Sequence, residues 1–174
     1  MAIDRQKTET VHWHAVFTAS RAEKKVRDRL EELGVECFLP VQTVLRQWTY
    51  RKSRVVVPVI AGLVFVRVSR QEQVKVLQTK GVVAFLRLKG EAAVIPDKQM
   101  EDFRFLLDFS EEAVEMTNEN IKAGDLVRVV KGSLRGMEGE LIRHKGVTKV
   151  LVRIDMLGCA MVNIPASFVE KLNK

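Results

Sequence analysis

Val11 to Phe17 has strand character, with polar His12 and His14 set at i, i+2 around the apolar Trp13 so that both histidines fall on one face. Ser20 stands as an N-cap, with Glu23 three residues on completing a capping box, for a helix that runs through Leu33 and stops at Gly34. Within it Ala22, Val26, Leu30 and Leu33 fall on one face, and Arg21, Lys24, Lys25, Arg27 and Arg29 point outward. Strand character returns at Glu36 to Leu39, Thr43 to Tyr50 and Arg54 to Val57, the last two closing a hairpin around Arg51, Lys52 and Ser53. Leu63 to Val68 reads as a central strand. A second helix begins at Ser69 or Arg70 and ends near Thr79, and Val82 to Leu88 is extended up to a turn at Lys89, Gly90 and Glu91. Pro96 and Asp97 open a third helix whose apolar face is Met100, Phe103, Leu106 and Leu107, ending at Phe109. Strands interleaved with helices in this way predict an α/β sandwich over residues 11–109.

The pattern then changes. Residues 110–120 hold four acids and no apolar periodicity, which predicts a flexible tether of roughly 15 to 20 Å root-mean-square span. Beyond it Val127 and Val129 alternate with Leu126, Arg128 and Val130. Glycines at 132, 136 and 139 punctuate a turn, and Glu140 to Arg143 extends again. Lys149 to Asp155, Asn163 to Pro165 and Val169 to Leu172 supply the remaining strands of a small all-β module over residues 121–174. At about 55 residues it is near the lower limit for independent folding. Residues 1–10 are polar, without an apolar signal core, and read as a frayed tail.

The 174 residues are 47% hydrophobic and 29% charged, which suits a folded chain rather than a disordered one. The net charge of +7 is uneven: residues 1–109 carry 19 basic against 13 acidic side chains, 110–120 none against 4, and 121–174 carry 10 against 5. Two basic lobes around an acidic connector fit work beside nucleic acid. Cys37 and Cys159 form no C-x-x-C pair and have no histidine at ligand spacing, so no metal site and no disulfide framework is expected, and a reducing cytoplasm fits. The longest apolar run, Val55 to Val66, is 12 residues broken by Pro58 and Gly62, short of the roughly 20 a membrane helix needs. No phosphate-binding loop appears, and His12, His14 and His144 have no partnering nucleophile or carboxylate pattern. Neither a cofactor nor an enzymatic activity is expected.

Two stretches carry a resemblance. Residues 121–144, with Gly124-Asp125, Gly132, Gly136 and Gly139 between extended segments, resemble the KOW module, an SH3-like barrel. Trp13 to Phe17, Ala22 to Val26 with Leu30, Phe38 to Val41, Gly62 to Val66, Gly81 to Phe85 and Ile95-Pro96 occur in the order of the N-terminal (NGN) domain of NusG-like elongation factors. The resemblance spans nearly the whole chain and is closest in character to the RfaH-like branch and the antiterminators of capsular polysaccharide loci. It implies an α+β protein, an NGN α/β sandwich followed by an all-β KOW barrel, that acts as a monomer away from membranes.

The resemblance also implies sites. Ile60, Leu63, Phe65 and Phe85 match the hydrophobic pocket that grips the clamp helices of the largest RNA polymerase subunit, although aliphatic residues stand at 60 and 63 where aromatics are usual. Arg21, Lys24, Lys25, Arg29, Thr79 and Lys80 match the neighbourhoods facing upstream DNA and the non-template strand of the bubble. Met156, Leu157, Gly158 and Cys159 match the KOW loop that recruits Rho or a ribosomal protein, without the family's usual aromatic and arginine. Arg46, Trp48, Tyr50, Arg51, Lys52 and Arg54 form a further basic and aromatic cluster on the expected hairpin, with Trp48 and Tyr50 on one strand face. The β-branched 127–130 and 147–154 segments favour a stable barrel over a helical alternative. The expected function is suppression of pausing and termination at particular operons. The alternatives are a general NusG factor or a KOW-containing RNA-binding ribosomal or assembly protein.

Overall fold

A computed structural model describes residues 9–173, so the tail expected over 1–10 lies, up to residue 8, outside the described residues. Strand β1 (His12–Thr18) leads into helix α1 (Glu23–Glu32) and strand β2 (Glu36–Phe38). Strands β3 (Val41–Trp48) and β4 (Arg51–Pro58) form a hairpin, followed by β5 (Leu63–Val68) and helix α2 (Glu72–Leu77). Strand β6 (Val82–Phe85), the short pair β7 (Arg87–Leu88) and β8 (Glu91–Ala92), and helix α3 (Asp97–Phe109) complete the N-terminal part. The C-terminal part is all strand apart from one helical turn: β9 (Glu115–Thr117), β10 (Asp125–Val129), β11 (Glu138–His144), β12 (Val147–Ile154), β13 (Gly158–Asn163) and β14 (Val169–Lys171). The α+β class with an all-β C-terminal part is as the sequence indicates. Among the described residues no helix is long and apolar enough to cross a membrane.

The described residues form two compact units, one of residues 9–39 and 62–95, the other of 40–61 and 96–173. The first is built on a four-stranded sheet of order β2-β5-β1-β6. Its register divides the side chains cleanly, because residues directly opposite in an antiparallel pair share a face. Phe17 opposite Leu63, Ala15 opposite Phe65 and Phe38 opposite Phe65 define one face. Val16 opposite Val64 and Phe85, and Cys37 opposite Val66, define the other. Helix α1 belongs to this second face, where the Cys37 thiol reaches the Arg27 carbonyl at 3.7 Å, and Val26 and Leu30 are buried.

Helix α1 does not start as the sequence suggests. Arg21 takes a left-handed backbone (φ 57°), Ala22 is the N-cap without a side-chain bond, and the buried Glu23 carboxylate accepts the Gly62 N–H at 2.7 Å. The acid is used to fasten the start of β5 rather than to close a capping box. A reciprocal Ser-x-x-Glu exchange occurs instead ahead of α2, where Ser69 N–H donates to Glu72 at 2.9 Å and Glu72 N–H to the Ser69 hydroxyl at 3.4 Å.

In the second unit six strands run in the order β14-β10-β11-β12-β13-β9. Ile142, Leu151, Cys159 and Met161 form a buried cluster with Ile121 packed on it. Arg153 clamps the sheet: its Nε and Nη2 donate to Glu140 at 2.7 and 2.9 Å, and Nη2 also donates to the Ile121 carbonyl at 3.0 Å. That guanidinium holds the Glu140 carboxyl below the usual carboxylate range. The acidic stretch is not free chain throughout. Residues 115–117 are β9, paired to β13 with Thr117 opposite Cys159, and Glu115 accepts from the buried Lys149 ammonium at 2.7 Å. Ahead of it Val114 is buried, and the Gln42 side chain binds its backbone twice, accepting its N–H at 2.8 Å and donating to its carbonyl at 3.1 Å. A single amide thus stands in for one rung of a β-ladder between the β3–β4 hairpin and the acidic segment.

Candidate functional site

The basic residues expected on the first helix are brought together. Arg29 Nη1 donates to the Lys80 carbonyl at 2.7 Å, which draws the turn ahead of β6 onto the side of α1. A Cβ at Gly81 would meet the Val26 side chain at 2.8 Å, so the turn sits close against the helix. Lys24, Lys25 and Lys80 are exposed, as is Arg21 in its left-handed turn, and among the described residues none of the four forms an ion pair. Thr79 leaves the group: its buried hydroxyl donates to the Lys75 carbonyl at 3.1 Å, inside the last turn of α2.

The apolar set is not one surface. Leu63 and Phe65 share a sheet face with Phe38, whose ring stacks on Phe65 at a centroid distance of 6.1 Å. Phe85 points from the opposite face, its ring edge-on to His14 at 5.8 Å. All three are buried, Leu63 and Phe65 on the inner strand β5 and Phe85 at the end of the edge strand β6. Ile60 is half-buried and lies in the segment of the second unit. The exposed aromatic on the Leu63 and Phe65 face is Phe17, 42% accessible at the end of β1. The alternation of β1 carried the signal for it, since Trp13, Ala15 and Phe17 fall on one side.

The loop expected at 156–159 is half strand. Gly158 and Cys159 open β13, and Cys159 is buried in the core cluster, so neither offers a side chain to a partner. Met156, in contrast, is exposed and held in the left-handed region (φ 65°), where an unbranched non-glycine residue is strained by roughly 1–3 kcal/mol. Asp155 beside it exchanges two bonds with Gln99 of α3, at 2.8 and 3.0 Å, which fixes the turn.

The hairpin turns two to three residues earlier than the sequence suggests, at 49–50 rather than around Arg51, Lys52 and Ser53. Eight register pairs run from Val41 opposite Pro58 to Trp48 opposite Arg51, leaving Thr49 and Tyr50 as the turn. Tyr50 therefore stands at the tip and not on the strand face of Trp48. His12 and His14 do share a face, where both line an open cleft with Arg70 and Arg87. His14 is buried; its Nδ1 is 2.8 Å from the Ala93 carbonyl and must be the protonated nitrogen, and burial pushes its pKa down. Burial likewise pushes the Cys37 thiol up to about 11. Among the described residues no group of three or more His, Cys, Asp or Glu side chains is placed to hold a metal ion.

The family model described as transcription termination factor NusG matches residues 11–104, more than half of the chain. The transcription termination/antitermination protein NusG of Streptococcus pyogenes, serotypes M3 and M1, is 24% identical over 163 residues, covering 86% of this chain and 89% of that protein. A solved structure of Thermotoga maritima NusG, concerned with domain interaction, superimposes with a TM-score of 0.52 at 22% identity, covering 94% of this chain and 98% of that one. At that identity the likeness is one of fold.

Proposed function

Because this chain belongs to the NusG family of transcription termination and antitermination factors, we propose that it binds RNA polymerase and suppresses pausing or termination at particular operons. The observation that carries the reading is the cationic face of α1 joined to the 80–81 turn, built on the sheet unit that the family model matches and left without acidic partners among the described residues. Arg21, Lys24, Lys25, Arg29 and Lys80 would grip the phosphates of the non-template strand. Such contacts add affinity without reading sequence.

The functional division is residues 11–109 for polymerase, 110–120 as connector and 121–174 for a second partner. Clamp helices of the largest polymerase subunit would meet the Leu63 and Phe65 face, beginning at the exposed Phe17. Factors that act allosterically need only a modest preference, since a coupling of roughly 1–3 kcal/mol for one clamp state shifts populations 5- to 150-fold. Met156 and Leu157 would be the contact points for Rho or a ribosomal protein, with the strain at Met156 supporting a role for that turn. The specialised reading rests on Ile60-Ala61-Gly62-Leu63 and Met156 to Cys159, where the usual aromatic and arginine residues are missing. The general reading is favoured by relatives that are themselves NusG.

Mapping the tagged protein on the genome against RNA polymerase tests this. Occupancy on one or a few long operons is expected. Occupancy that follows polymerase on most genes would make it the general factor, and no polymerase-linked signal would reject the polymerase reading.

A further inference from the structure

Between Glu36 and Glu72 the sequence contains no acidic residue, and the hairpin lies in the middle of that stretch. Every residue from 45 to 52 is exposed, on both faces of the ribbon, so this end of the hairpin has no core. A two-stranded ribbon without a packed face is marginal, and apolar groups there add only the small contribution of cross-strand pairs. Yet its tip carries two aromatic rings. Tyr50 is 97% accessible at the turn and Trp48 55% accessible beside it. The indole Nε1–H donates to the Ser53 hydroxyl at 3.2 Å, which holds the ring across the ribbon. Arg51 is directly opposite Trp48, and Arg46 lies two residues before it on the same face, while Lys52 and Arg54 occupy the other face. Among the described residues none of these four cations is ion-paired.

We infer that the tip of the β3–β4 hairpin is a binding site for single-stranded nucleic acid, with Trp48 and Tyr50 as stacking platforms and Arg46, Arg51, Lys52 and Arg54 on the phosphates. Unstacked bases present faces to such rings, whereas a duplex keeps its base faces covered. Stacking and charge read neither base identity nor the sugar, so RNA and DNA strands of equal length bind alike. The site shares no residue with the cationic face of α1 and does not depend on it.

Fluorescence tests this directly, because Trp13 is 5% accessible and Trp48 is the exposed indole. With full-length protein, a dT 12-mer and an rU 12-mer should each quench the tryptophan emission, and Trp48→Phe should remove that quenching. Trp48→Ala with Tyr50→Ala should weaken binding of both oligomers, read by anisotropy, about 10-fold or more. Arg51→Gln, Lys52→Gln and Arg54→Gln together should lower the slope of log affinity against log salt by about 2. The Arg21, Lys24 and Lys25 to Gln variant should leave the quenching intact, which separates this site from the α1 face. Circular dichroism shows that each variant is folded. Unchanged affinity in the hairpin variants, tighter binding of a 12-base-pair duplex than of either strand, or loss of polymerase binding with oligomer binding intact would each overturn the site.

Discussion

Gly158 and Gly136 both have positive φ, 106° and 94°, but only one is crowded. A Cβ at Gly158 would lie 2.1 Å from the Thr117 carbonyl oxygen, while at Gly136 it meets nothing within 4 Å. Gly136→Ala should therefore cost only its backbone penalty, about 1 kcal/mol, and Gly158→Ala should cost at least about 2 kcal/mol more by detaching β9. Urea unfolding of the two variants measures the difference; equal losses would show that β9 does not press on this turn. His14 sets a pH dependence of stability. Its ordinary pKa is about 6.5 and burial lowers it in the folded protein, so below neutrality the unfolded chain takes up a proton that the native one refuses. The stability it protects is complete above about pH 6.5 and is lost as pH falls from there toward the lower folded value. His14→Gln should flatten the slope of unfolding free energy between pH 7.5 and 5.5; an unaltered slope would place the proton elsewhere.

At the scale of elements, the Gln42 amide joins hairpin to acidic segment. Gln42→Met keeps the volume but leaves the Val114 N–H and carbonyl without their partners, at a cost of about 1–3 kcal/mol. Exchange of the Val114 amide hydrogen should accelerate in that variant while β10 to β13 stay protected. What the sequence disclosed and what it hid follow from range. The helices and the strands β1, β5, β10 and β12 were legible because their periodicity is local. Gln42 looked like any polar strand residue, since its partner lies 72 residues away. Glu23 was misread as a capping acid for the same reason, its true partner being Gly62. In the candidate sites, the cations of α1 were legible because a helix fixes its outward face. Thr79 and Cys159 were not, because only the folded chain shows a hydroxyl spent on a carbonyl or a thiol sealed in a sheet. Phe85 was grouped with Leu63 and Phe65 because one-dimensional order cannot show that β6 turns it to the other side of the sheet.

For the whole molecule, the buried and exposed aromatics of one face separate binding from stability. Phe65→Ala should destabilise the protein by about 3–5 kcal/mol, whatever it does to polymerase. Phe17→Ala should leave the unfolding midpoint within a few degrees and still weaken polymerase binding by about 10-fold or more, measured by interferometry on core enzyme. Full affinity in folded Phe17→Ala would move the contact off this face. Family membership over 11–104 removes most of the ground for a ribosomal reading, which rested on the barrel and the charge alone. The long reach from Gln42 to Val114 also acts in time. During synthesis Gln42 leaves the ribosome 72 residues before its partner, a delay of roughly 4 to 14 seconds at about 5–20 residues per second. Throughout that interval the nascent hairpin lacks this anchor, so its first contacts in life are made without the segment that later holds its base.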